Sequence, residues 1–290
     1  MRIFSAETFA DVYESILNDL LINPEYKVSP RGQLVHEIEN GIFKISNPLS
    51  CLYENKVRGS QYKYIAGELL WYFSGSNDLD FIKKYSKFWE KLVNEDRSLN
   101  SAYGHLIFTK KNENKFNQWR WAYRSLIEDK DTRQAIMHFN LPEHQFIGNK
   151  DFVCTLNLLF QIRDNRLNLT TMMRSNDVIL GLPMDIVFFV SLQLQMLKLI
   201  KVKYPEVELG AYTHIANSLH LYDRNFEIVK NMLAEKFESV EIPSIEQNLV
   251  NEFGKTTSDF NFAYNVIDNN YVIEENSIIG LLGWIFNNAR

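Results

Sequence analysis

The chain has 290 residues and a formal net charge of -5, with 46% hydrophobic and 23% charged residues, the profile of an ordinary globular protein. No block of basic residues interrupts that charge, which excludes a general nucleic-acid binder while leaving room for a few arginines that hold a small anion. Residues 1–290 are expected to form a single domain, since no repeat, low-complexity tract or linker divides them.

The first residues, with Phe9, Val12, Tyr13, Ile16 and Leu20 on one face, predict an amphipathic helix. Acids among them break the order of a signal peptide, so a cytoplasmic location is expected, that of a host if the gene is viral. Ser29 to Gly32 reads as a loop, and Leu34 to Ile45 alternates roughly enough for a hairpin. Tyr64 to Phe73 is apolar nearly all round and predicts a buried helix that stops at Ser74-Gly75. Asp78 to Leu92 predicts a second helix and Gln118 to Glu128 a third. Strands are expected at Gln134 to Asn140, Phe152 to Ile162 and Arg166 to Arg174, the last two joined by a tight turn at Asp164-Asn165. Ile179 to Ile200 is the most apolar stretch, but Pro183, Asp185 and Lys198 argue against a membrane span and for a core helix from Asp185. Glu208 to Ala216 reads as a further strand. The class is α+β, or mixed α/β, without the regular alternation of a doubly wound fold.

Some residues are out of place for a purely structural role. Glu68 lies inside an apolar helix, where an ionised, unpaired carboxylate is costly. It needs a partner, a raised pKa suited to proton transfer, or a position facing solvent or a subunit contact. Cys154 falls in a predicted strand, where a lone thiol is most often a small core group, and only nearby positive charge would make it a nucleophile. The two cysteines, Cys51 and Cys154, are too few for a disulfide framework, and the six histidines show no ligand spacing with them, so no metal is expected. The string from Arg174 to Asp185 ends a strand with Arg-Ser, adds an acid and turns through Gly-Leu-Pro into a helix. Arg174 and Ser175 at a strand end suit a phosphate.

With these residues on one string the chain resembles the thymidylate synthase family, which includes the deoxypyrimidine monophosphate hydroxymethylases. The resemblance rests on Arg174, Ser175, Asp177, Leu180, Gly181, Pro183, Asp185 and Ile186, on Glu68-Leu69-Leu70-Trp71 through Gly75, on Tyr103-Gly104, on Asp131-Thr132-Arg133, and on His220 with Tyr222. It runs in order from about Arg31 to Asn225, and several ordered motifs together are far more specific than any one. It implies a central mixed sheet flanked by helices, with one sheet face packed at a homodimer interface. It also implies a pyrimidine nucleoside monophosphate as substrate and 5,10-methylenetetrahydrofolate as one-carbon donor. By the same resemblance Cys154 adds to C6 of the base, Glu68 moves protons through water, and Tyr103 belongs to the catalytic group. Arg31, Arg174, Ser175 and the Arg133 of a second subunit hold the phosphate. His220 and Tyr222 contact the sugar, while Trp89, Asp177, Leu180 and Gly181 line the folate pocket. Arg174 and Arg133 are expected to lower the pKa of Cys154.

Departures from the family pattern carry information. Thr155 replaces the histidine after the nucleophile, Gln134 replaces the second arginine of a pair, Leu92 stands for a tryptophan, and Phe139-Asn140 for Trp-Asn. The tail from Trp284 to Arg290 differs from the short closing tail of the methylating members. Asp185 stands where thymidylate synthases carry asparagine. A carboxyl that keeps or shares a proton complements the amino group and N3 of cytosine, whereas an amide complements uracil. The expectation is therefore hydroxymethylation of dCMP, with methylation of dCMP or dUMP, or a silent nucleotide-binding homologue, as alternatives.

Overall fold

The computed structural model describes residues 1–95, 97–269 and 278–290. Strand β1 (Arg2–Ala6) precedes α1 (Phe9–Ile22), β2 (Tyr26–Val28) and β3 (Val35–Ile45), and β4 (Leu52–Glu54) leads into α2 (Tyr62–Ser74) and α3 (Leu79–Ile82). Next come α4 (Gln118–Glu128), β5 (Ile136–His138), β6 (Thr155–Arg163), β7 (Arg166–Met173) and β8 (Asn176–Asp177). After α5 (Leu182–Ile200) and β9 (Glu208–Tyr222) follow α6 (Phe226–Leu233), β10 (Glu238–Val240), α7 (Ser258–Asp268) and α8 (Gly280–Ala289).

One sheet runs in the order β1-β3-β9-β7-β6-β5, with β2 on β3 and β8 on β9, while β4 and β10 pair separately. β1 with β3 and β7 with β9 are parallel and the other pairs along that order are antiparallel, so the sheet is mixed as expected. Along β9 the side chains of Tyr212, His214 and Ala216 are buried, alternating with the half-buried Thr213 and Ile215. α5 crosses the buried face and is covered on nearly all sides, which explains its apolar run. It is long and apolar enough to cross a membrane by length and composition, yet 83% of that window is buried inside the protein.

Three local expectations need correction. Leu34 to Ile45 is not a hairpin but the single strand β3, which stays paired with β9 on both sides of Asn40-Gly41. It passes straight because Gly41 has no side chain to strike Leu219, 2.8 Å from where a Cβ would stand. Asp78 to Leu92 is not one helix. It is the short α3 followed by a 3-10 turn over Lys87–Lys91, restarted where the Ser86 hydroxyl accepts from the Phe88 N–H at 3.2 Å. Cys154 lies just before β6 rather than inside a strand.

Glycines set two approaches that matter for the site. α2 ends where Gly75 takes φ 72. Gly104 passes so close to α2 that a Cβ there would lie 1.6 Å from the Tyr72 carbonyl oxygen. Gly104→Ala is therefore expected to destabilise the fold by about 3 kcal/mol, read as a lowered urea midpoint; an unchanged midpoint would contradict this packing.

Candidate active site

Cys154 is placed by a strand irregularity. Pairing of β6 with β7 shifts between Thr155 and Asn157, a bulge that turns the chain just after the thiol. The Arg174 backbone N–H continues the ladder to the Cys154 carbonyl at 2.9 Å. Its guanidinium donates to the carbonyls of Phe152 (2.5 Å) and Val153 (3.1 Å) and lies 3.4 Å from Cys154 Sγ. The Asn140 amide also donates to the Val153 carbonyl, at 2.7 Å. Cys154 thus sits on a segment held from two sides, with a cation against its sulfur.

That cation does not decide the thiol's proton affinity. Burial pushes the Cys154 pKa up, and Asp185 and Asp151 add to the rise, against the lowering by Arg174 and Arg31. Within one chain, burial of the half-buried sulfur outweighs Arg174 and Arg31; the expected lowering also drew on Arg133 of a second subunit, which one chain does not place here.

Glu68 is buried on α2 and its acid is pushed up to about 8, first by burial and also by the charge of Asp185. Tyr64 and Tyr72 stand four residues before and after it, hence on the same helix face. The Tyr64 hydroxyl donates to Glu68 Oε1 at 2.7 Å and the Tyr72 hydroxyl to the same oxygen at 3.4 Å. Trp89, assigned to the folate pocket by sequence, is only 6% exposed; its indole N–H donates to the Tyr64 hydroxyl at 3.1 Å. Tyr72 stacks on Tyr103 with ring centroids 5.2 Å apart, and the buried Tyr103 hydroxyl is in turn influenced by Asp185 and Cys154. A line of polar groups therefore runs from Trp89 through Glu68 towards the thiol.

Asp185 begins the first turn of α5, where its N–H donates to the Gly181 carbonyl at 3.0 Å. Burial raises its acid to about 7, the Asn176 amide opposing the rise by donating to Oδ2 at 2.9 Å. Gly181 makes room for that pair, since a Cβ would stand 2.9 Å from the Asn176 amide nitrogen and 3.3 Å from Asp185 Oδ2. Burial and the nearby Asp177 charge thus hold its acid well above the ordinary carboxylate range.

The remaining predicted residues divide by position. His220 and Tyr222 lie at the end of β9, where Asp177 pairs with His220 and Val35, just after the Arg31 turn, pairs with Tyr222. His220 is buried, and its Nδ1 faces the Ser218 carbonyl at 3.2 Å. Arg31 is exposed and takes φ 53, and Ser175 is half-buried beside Arg174. Asp177 Oδ1 accepts from the N–H groups of Ile179 (2.8 Å) and Leu180 (3.3 Å), and the Leu180 side chain is 52% exposed next to it. A carboxylate acceptor beside an open apolar wall suits the N–H donors and the flat face of a reduced pterin, so these residues fit a folate. Arg133 stands apart. Ile136 pairs with Leu159, so Arg133 lies towards the Arg163 end of β6 while Cys154 precedes its start. That strand separates them by roughly 25 Å at the usual rise per residue, and one chain does not bring them together.

Tyr64, Tyr72, Asn140 and Asn176 were not singled out from sequence. The two tyrosines were visible at helical spacing from Glu68, and Asn176 stood inside the Arg174–Asp185 string. Asn140 was visible only as the second half of the Phe139-Asn140 pair that stands for the family's Trp-Asn.

A guanidinium against a half-buried thiol, with two buried acids whose pKa values are raised, is an arrangement that can support addition of a thiol to a substrate. Comparison with known proteins makes the class specific. The thymidylate synthase family profile matches residues 39–274, and the chain belongs to that family. It is 27% identical over 261 residues to a deoxyuridylate hydroxymethyltransferase of Bacillus phage SP01, covering 85% of this chain and 67% of that protein. It is 32% identical over 174 residues to a deoxycytidylate 5-hydroxymethyltransferase of Enterobacteria phage T6, covering 58% and 70%. A thymidylate synthase of Clostridium beijerinckii is 24% identical over 258 residues, covering 87% and 92%. The fold matches thermostable thymidylate synthase A from Bacillus subtilis with a TM-score of 0.67 at 21% identity, over 86% of this chain and 92% of the other. The chain is accordingly a one-carbon transferase that acts on a pyrimidine nucleotide and uses 5,10-methylenetetrahydrofolate.

Proposed function

We propose that the enzyme converts dCMP to 5-hydroxymethyl-dCMP. The observation that carries this reading is Asp185, a buried acid held by Asn176 with a pKa raised to about 7, at the place where the family resemblance puts the asparagine that reads uracil. Such a group can give or share a proton with N3 of cytosine and accept from its amino group, the reverse of what uracil needs.

In this reading Cys154 adds to C6 as a thiolate, which makes C5 a carbon nucleophile. The folate supplies a one-carbon unit at the methylene level. With the one-carbon unit on C5, Glu68 takes the C5 proton through water and tetrahydrofolate is released; water then adds to the exocyclic carbon, giving up one proton, and the C5–C6 double bond re-forms as the thiolate leaves. Arg31, Arg174 and Ser175 hold the 5′-phosphate, and His220 and Tyr222 hold the sugar. Asp177, Leu180 and Gly181 form the pterin side. Because Arg133 is remote within one chain, its phosphate role requires a homodimer in which the partner donates it across the half-buried sheet face.

Two observations favour water over hydride as the final acceptor partner. The tail is the helix α8, docked on α2 with the Tyr85 hydroxyl donating to the Ala289 carbonyl at 3.0 Å and Trp284 edge-on to Tyr62. The buried Glu68, with both tyrosine hydroxyls on one oxygen, also leaves a carboxylate oxygen that can activate water. A second reading, the same chemistry on dUMP, is favoured by the phage SP01 relative. Incubation with each nucleotide and methylenetetrahydrofolate, followed by mass spectrometry, separates them. The expected result is dCMP gaining CH2O with tetrahydrofolate left over; gain of CH2 with dihydrofolate, or reaction of dUMP alone, would overturn the proposal.

A further inference from the structure

We infer that Tyr64 is a positioning residue for proton transfer: fixed by Trp89, it occupies Oε1 of Glu68 and leaves Oε2 to handle the water at C5. The inference rests on the reading of Glu68 and Cys154 given above and adds a residue that neither the family motifs nor the nucleotide contacts single out.

Geometry carries it. A carboxylate that rotates freely presents either oxygen to a water, and its proton can reside on either. Here the 2.7 Å bond from Tyr64 and the 3.4 Å bond from Tyr72 both fall on Oε1. The Tyr64 phenol cannot easily turn away, because its oxygen also accepts the Trp89 indole N–H at 3.1 Å and Trp89 is wedged edge-on against Trp71 with centroids 5.2 Å apart. Tyr72 is fixed separately by its stack on Tyr103. Two donors on one oxygen favour the charged form and direct the remaining lone pairs of Oε2 to the reacting side. The titratable groups that act on Glu68 are these two tyrosines of its own helix and Asp185 of α5, and only Asp185 disfavours its charge.

The test reads proton transfer without the one-carbon step. Cys154 adds to C6, C5 takes a proton from water, and its original hydrogen is then removed through Glu68 before the thiolate is expelled. Tritium placed at C5 of dCMP is thereby released to water in the absence of folate. The acid limb of this release follows the ionisation of both Glu68 and the Cys154 thiol, and the pH profile of covalent capture by a 5-fluoropyrimidine nucleotide, which needs only the thiolate, separates the two. Tyr64→Phe removes a donor to the carboxylate, so the limb is expected to move up by roughly one pH unit, a loss of about tenfold at pH values below it. Trp89→Phe is expected to shift the limb in the same direction by less, and the double variant no further than Tyr64→Phe alone, since Trp89 acts through Tyr64. Should Tyr64→Phe fail to fold, Trp89→Phe carries the test by itself. A limb unmoved in folded variants, with normal release by the unsubstituted enzyme, overturns the role of Tyr64 and leaves the proposed function standing. No release by the unsubstituted enzyme with dCMP or dUMP takes down the proposed function, and this inference with it.

Discussion

Cys154→Ala is expected to lower turnover by about 10^4-fold or more, since nothing else in the site can make the bond to C6. The loss should fall on kcat and not on nucleotide binding. Arg174 keeps its bonds to the carbonyls of Phe152 and Val153 when the sulfur is gone, and Arg31, His220 and Tyr222 lie on other strands and turns. Calorimetric titration with dCMP should therefore give an affinity close to that of the unsubstituted enzyme. A variant that keeps its turnover would show that the thiol is merely a half-buried core group. The raised pKa of Cys154 gives the prediction a second face. The thiolate fraction grows as pH rises, so covalent capture by a 5-fluoropyrimidine nucleotide should accelerate towards alkaline pH, and capture that is flat with pH would contradict the balance between burial and Arg174.

Asp185→Asn has the second largest expected effect, on selectivity more than on rate. The replacement amide keeps a partner in Asn176 but cannot share a proton with N3, so a cytosine placed against it leaves buried polar groups unpaired. The ratio of kcat/KM for dCMP over dUMP is expected to fall by roughly 10^3-fold or more, the scale on which sites built for one hydrogen-bonding pattern reject another. A ratio that does not move would show that the base is read elsewhere. The room made by Gly181 predicts that the pair, and not the helix end in general, is what the local fold is shaped around.

Much of this was legible in the sequence, for identifiable reasons. α4 has the expected bounds because Asn117 caps it, its side chain accepting from the Arg120 N–H at 2.8 Å. The hairpin turn at Asp164-Asn165 takes φ 48 and 55, the values its residue types announced. The Arg174–Asp185 string kept its acid, its glycine and its phosphate-type residues near one another because it is nearly contiguous in space as well as in sequence. What stayed hidden depended on contacts between distant segments. β1 was absorbed into the first helix, since its pairing partner β3 lies far along the chain. Asn140 matters only through the Val153 carbonyl. The thiol's proton affinity could not be read from nearby arginines, because burial is set by the whole fold. Trp89 was assigned to the folate by motif, and that motif gave no sign that its indole N–H donates to Tyr64.

The central claim is that water, and not hydride, completes the group on cytosine. It is tested most directly by running the reaction on dCMP with methylenetetrahydrofolate in water enriched in heavy oxygen and weighing the product. The account predicts a hydroxymethyl nucleotide that carries the heavy oxygen; an oxygen-free methyl product would contradict it.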